Sequence, residues 1–144
     1  MMKSNPKLSL KRDELLAIRK AGLRLNRLSQ MRPIELGKLT NIPAPRCEQL
    51  VALSQFQTLD SVGPSIAEDL WFLGYRGIDE LKDANPAEMY RKLISMRGKP
   101  IDPCVEDVFR CAVAQATYPD LPDSVRQWWK WKEQRGQPRV YPIL

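Results

Sequence analysis

Residues 59–70 read Leu59-Asp60-Ser61-Val62-Gly63-Pro64-Ser65-Ile66-Ala67-Glu68-Asp69-Leu70. An apolar residue leads into a tight turn around Gly63. Pro64 then opens a helix whose inner face is Ile66, Ala67, Leu70 and Leu73. Proline suits a first helical position because its missing N–H would go unpaired there anyway. The turn leaves free backbone N–H groups at the start of that helix, and such a concavity suits an anion.

Twenty residues upstream the same pattern recurs. Leu39, Ile42, Pro43, Cys47, Glu48, Leu50 and Leu53 line up with Leu59, Val62, Gly63, Ala67, Glu68, Leu70 and Leu73. Each unit reads apolar anchor, two polar residues, apolar residue, tight turn, helix. Two such units can bury their apolar faces against each other, which neither does alone. The upstream unit is a poor anion nest, because Pro43 and Pro45 carry no N–H. It reads as the structural partner of the downstream unit.

The rest of the chain is helical and punctuated by proline and glycine, with no strand alternation. Ser9 is placed to cap a helix running through Lys20, and Pro33 opens a short helix up to Leu39. Asn85-Pro86-Ala87-Glu88 supplies an N-cap, a first-turn proline and a glutamate at the third position; the helix should end at Gly98. Val105, Val108, Phe109, Ala112, Val113 and Ala116 form a wide apolar stripe and the best core helix. A last helix is expected from about Asp123 to Gln134. The expected class is all-α: tandem turn–helix units plus additional C-terminal helices. The expected organisation is a basic helical arm over 1–32, a helical domain over 33–134 and a tail over 135–144.

Composition bounds the function. At 144 residues and 43% hydrophobic content the chain suits one compact domain with an extra arm. No apolar run approaches the roughly 20 residues of a membrane span, and the start lacks a secretory h-region. Three cysteines with no CxxC pair point to a reducing compartment, and so to a cytoplasmic protein. The net charge of +6 is uneven: residues 1–40 hold ten basic and three acidic side chains, and the remaining 104 hold 13 and 14. All the excess sits in the first quarter, as expected of a nucleic-acid-facing arm or of a solvated terminus. Lys11, Arg12, Arg19, Lys20, Arg24 and Arg27 recur along its helix. Six neutralised phosphates on duplex DNA would give a log–log salt slope of roughly −5.

These residues resemble known families. Leu59–Leu70 resembles the helix-hairpin-helix motif of DNA-repair and recombination proteins, with Ser61-Val62-Gly63 at its Gly-apolar-Gly turn and Ala67 and Leu70 at its helix positions. The longer run is VGPSIAEDLWFLG at 62–74, IDELKDANPAEMY at 78–90, DPCVEDVFRCAVAQA at 102–116 and WWKWK at 128–132. It resembles the bacterial pathogenicity-locus family, some of whose members are labelled mitomycin-resistance-related. The resemblance covers about Phe56 to Glu133 and implies a helix-hairpin-helix fold and DNA as ligand, without implying a reaction. It implies that the N–H groups around Gly63, Ser65 and Ile66 hold a phosphate oxygen, a contact that reads backbone rather than sequence.

The sequence departs from that motif at two points. Ser61 replaces the first turn glycine, although its hydroxyl has a proton to donate to a phosphate. Ser65 stands where DNA-binding hairpins often carry a cation. Asp60, Glu68 and Asp69 give Leu59–Leu70 a local charge of −3 with no base, so cations must come from elsewhere. Arg46, Arg76 and the arm residues Lys11, Arg12, Arg19 and Lys20 are the expected sources. The expected binding set is therefore Ser61, Val62, Gly63, Ser65, Ile66 and these six cations.

Trp128, Trp129 and Trp131, interleaved with Arg126, Lys130 and Lys132, read either as a clamp on the core or as a stacking surface for unpaired bases. The clamp is the commoner use of clustered tryptophan. Cys47, Cys104 and Cys111, in a chain with no histidine, read as inert thiols rather than as a metal site or a nucleophile with its base. No phosphate loop, HExxH or nucleophile elbow is present. A nuclease built on Asp60, Glu68 and Asp69 has no motif behind it, and no cofactor is expected. Two functions remain from the sequence: a non-catalytic, backbone-reading DNA-binding protein, with a role in repair or drug resistance, or a protein-interaction adaptor whose hairpins are architecture.

Overall fold

The computed structural model describes residues 4–143. They form six α-helices and four short 3-10 helices, with no strand among the described residues. The helices are α1 (Arg12–Lys20), α2 (Pro33–Thr40), α3 (Ala44–Phe56), α4 (Pro64–Phe72), α5 (Pro86–Arg97) and α6 (Cys104–Thr117). The 3-10 helices are Leu25–Gln30, Ile78–Leu81, Asp123–Val125 and Trp128–Gln134. The chain is all-α, as its periodicity requires.

The 20-residue repeat is visible in the backbone. Asn41 and Ser61 occupy equivalent places and both are left-handed, at φ 61° and 69°. Ile42 and Val62 follow, each 7% exposed. Pro43 and Gly63 are the N-caps of α3 and α4. Cys47 and Ala67, then Leu50 and Leu70, are all fully buried. One difference stands out: Leu39 is exposed where Leu59 is half-buried. The two turns share α3, since α2 enters the first and α4 leaves the second.

That shared position explains why α3 buries residues on both sides. Its Cys47, Leu50 and Val51 belong to one apolar cluster with Ile18, Leu28, Met31, Leu36 and Ile42. Its Ala52, Leu53 and Phe56 belong to a larger one with Leu70, Leu81, Leu93, Phe109, Val113 and Trp131. Helix α6 is the centre of the larger cluster, with every residue from Glu106 to Gln115 buried. Its buried charges are paired, as burial demands: Arg110 donates to Glu106 at 2.7 Å and to the Gln137 carbonyl, and Asp107 accepts two bonds from Arg135 at 2.9 and 2.6 Å. These bonds hold the segment 135–137 on the start of α6.

The basic first quarter is folded onto α2 and α3. Ile18 and Leu28 lie in the smaller core, while Lys11, Arg12, Arg19 and Lys20 stay exposed. Buried Glu14 accepts two bonds from Arg46, at 2.8 and 3.0 Å, and the Ser9 carbonyl accepts a third. Ser9 therefore serves the junction with α3, and Lys11 takes the N-cap of α1. Asn85 caps α5 as expected, accepting from the Glu88 N–H at 3.1 Å, and Gly98 ends it in the left-handed region.

The expected last helix is instead two 3-10 segments broken at Arg126–Gln127. The tighter wind has three residues per turn, so Trp128, Trp131 and Gln134 share one side. Trp131 is fully buried and its indole N–H donates to the Val125 carbonyl at 2.8 Å, whereas Trp129 is 53% exposed.

Candidate nucleic-acid interface

The second turn is built from the inside by its contacts with α6 and the C-terminal segment. The Asp60 N–H donates to Gln115 Oε1 at 2.9 Å, and Gln115 Nε2 donates back to the Asp60 carbonyl at 2.8 Å. Ser61 Oγ donates to the Arg126 carbonyl at 2.8 Å and accepts from the Trp128 N–H at 3.1 Å. The Cys111 thiol donates to the same Arg126 carbonyl at 3.2 Å. A left-handed serine is strained by about 1 kcal/mol, and these two bonds hold it there.

The Ser61 hydroxyl is thus engaged within the protein, and its expected donation to a phosphate gives way to a structural role. Val62 is buried below the turn. Outside it, Gly63 and Ser65 are exposed and Ile66 is half-buried. Helix α4 has no side-chain cap; its first closing bond runs from the Ala67 N–H to the Gly63 carbonyl at 3.0 Å. Among the described residues, no acceptor meets the N–H groups of Gly63, Ser65 and Ile66. No heavy atom lies within 4 Å of a Cβ added at Gly63, so the space beside its Cα is open.

The first turn differs in the way its prolines dictate. Pro43 and Pro45 offer no N–H, and the Arg46 N–H already donates to the Pro43 carbonyl at 3.0 Å. Its cup holds fewer free donors.

The local −3 charge of the second unit is offset by arginines distant in sequence. Arg97 meets Asp69 at 2.9 Å and Arg126 approaches Asp60 at 3.5 Å. Neither was named from the sequence as a partner of the turn, because each lies on a different element and reaches it only through packing. The two arginines that were named are committed elsewhere. Arg46 binds Glu14, the Ser9 carbonyl and Gln49 Oε1, which makes it an internal staple. Arg76 lies 3.6 Å above the Trp71 ring and 3.5 Å from Glu48.

The arm does reach the turn's edge. The Lys7 N–H donates to Gln57 Oε1 and its carbonyl accepts from Gln57 Nε2, each at 2.9 Å, two residues before Leu59. Lys11, Arg12, Arg19 and Lys20 form no ion pair among the described residues. Their charge is therefore available to a partner.

No group of three or more metal-ligating side chains occurs among the described residues. Cys47 and Cys111 lie in different cores, and burial pushes the Cys111 thiol up to about 11. No helix of the described residues is long and apolar enough to cross a membrane.

Comparison with known proteins bears on the longer run of sequence, residues 62–132. No solved structure matches the chain. The Mitomycin resistance protein McrB of Streptomyces lavendulae is 35% identical over 82 residues, which cover 57% of this chain and 74% of that protein. The Pathogenicity locus family matches residues 49–137, a span that begins inside α3, contains the second turn and excludes the basic first quarter. The chain belongs to the Pathogenicity locus family.

Proposed function

We propose that this protein binds DNA without sequence preference, through a helix-hairpin-helix unit formed by α3, the second turn and α4, and that it performs no chemical step there. The observation that carries the proposal is the trio of acceptor-free N–H groups at Gly63, Ser65 and Ile66. They open the nine-residue helix α4, whose N-terminal partial positive charge favours an anion. Because Gly63 has no Cβ, a phosphate oxygen can approach the backbone closely. Contacts of this kind position a strand without reading its bases.

The exposed cations of the first quarter supply the long-range attraction. They compensate for the acidic residues of the turn, two of which already face arginines. A relative named for mitomycin resistance is compatible with a role for this chain in drug resistance or DNA repair, which forms part of the proposal.

The test is fluorescence anisotropy of labelled duplex DNA at two salt concentrations. Wild type is compared with Gly63→Glu and with a triple variant, Arg12→Gln, Arg19→Gln and Lys20→Gln. Deleting the first quarter is unsuitable, because Ile18 and Leu28 belong to the core. Gly63→Glu should weaken binding, and the triple variant should flatten the salt slope by about 2–3 if all three cations contact phosphates. Binding indifferent to Gly63 would leave the hairpins as architecture and favour a protein partner.

A further inference from the structure

The tryptophan segment is divided by its 3-10 wind. Trp131 is core, but Trp129 is 53% exposed beside Trp128, whose ring it meets edge-on at 5.8 Å. Lys130 and Lys132 on either side of Trp131 are exposed and form no ion pair among the described residues. An exposed indole in a cationic segment matches a ligand that is both flat and anionic.

The position of this segment is fixed by specific bonds. The Trp128 N–H donates to Ser61 Oγ at 3.1 Å, and the Arg126 carbonyl accepts from the same hydroxyl. Trp129 therefore begins one residue, about 3.8 Å of chain, from an atom anchored on the second turn. The turn's exposed Gly63 is two residues beyond Ser61. The segment that carries the exposed ring and the turn that carries the free amides are thus bonded to each other through Ser61.

We infer that Trp129 is a stacking platform for an unpaired base of the strand whose backbone contacts the second turn, so that the protein prefers single-stranded or frayed DNA to continuous duplex. This rests on the DNA-binding reading above and names the form of DNA. In a continuous duplex both faces of each base are covered by its neighbours. An indole stacks on a base only after that base has left the stack. Every base has a π-face, so the platform adds affinity without adding sequence preference.

The experiment uses the full chain and one labelled oligonucleotide of mixed sequence, free and annealed to its complement, at one low salt concentration. Wild type should bind the single strand more tightly, with its tryptophan emission quenched. Trp129→Ala should lose roughly 5- to 150-fold on the single strand, the range of one base–aromatic stack, and less than about twofold on the duplex. Trp129→Leu, which keeps apolar bulk without the π-face, should lose as much as alanine, while Trp129→Phe should retain most of the affinity. Circular dichroism establishes that each variant is folded.

An unchanged single-strand affinity in Trp129→Leu and Trp129→Ala overturns the platform, as does an equal loss on both DNA forms. In either case the turn stands if Gly63→Glu still weakens binding. If wild type binds neither form, or Gly63→Glu weakens neither, the DNA reading fails and the platform fails with it.

Discussion

Replacing Gly63 with glutamate separates the proposed ligand site from the fold. Gly63 has φ −95° and ψ −172°, an extended conformation open to any residue. An added Cβ meets no heavy atom within 4 Å. Folding stability should therefore stay within about 0.5 kcal/mol of wild type, as at other unobstructed surface positions. The new carboxylate would stand at the entrance to the three free amides. Two like charges roughly 5 Å apart repel by about 1 kcal/mol in water and about 3 kcal/mol at a partly desolvated surface.

That repulsion corresponds to a loss of DNA affinity of roughly 5- to 150-fold at low salt. The loss should shrink as salt screens the pair. Gly63→Ala, which adds only a methyl, should lose less. Anisotropy titrations measure the affinities, and thermal unfolding checks the fold. Binding by Gly63→Glu within about twofold of wild type would falsify the turn as the phosphate site. A large fall in Tm would instead contradict the open space around Gly63.

Other parts of the structure give independent expectations. Ser61→Ala removes both bonds to the C-terminal segment while keeping the left-handed backbone, and should cost about 1–3 kcal/mol in a urea titration. Ser61→Gly should cost less, since it relieves the φ strain. Bonding by Arg46 holds the Glu14 carboxyl below its ordinary pKa of 4.5. The resulting stabilisation should be complete above about pH 4.5 and fade as pH falls through the lower folded-state value. Glu14→Gln should lose about 1–3 kcal/mol at neutral pH and show a shallower acid dependence. Trp131→Ala should cost about 3–5 kcal/mol, the range for emptying a buried aromatic site. Native-state thiol labelling at pH 8 should spare Cys47 and Cys111, which are buried with raised pKa values, until denaturant is added.

Much of the local structure was legible because it is written in local chemistry. Asn85, Pro86 and Gly98 mark the ends of α5 through capping and backbone geometry, and both marks are used. The apolar stripe from Val105 to Ala116 foretold α6. The C-terminal segment was harder to read. A spacing of three between Trp128 and Trp131 is compatible with an α-helix and with a 3-10 helix, and the segment is 3-10. Ser9 was a good cap by residue type, but its carbonyl accepts from Arg46 and Lys11 takes the N-cap position.

The sequence by itself determined the helical class, the 20-residue repeat, the missing donors of the first turn and the concentration of positive charge before residue 41. All of these follow from side-chain type, proline chemistry and spacing, which act over a few residues. Only the tertiary structure decided that Ser61 is tied to Arg126 and Trp128, that Arg46 is spent on Glu14, that Arg97 and Arg126 answer the acids of the turn, and that Trp129 stays outside while Trp131 goes in. Those outcomes depend on which surfaces meet when the two cores close, and the partners lie 28 to 67 residues apart.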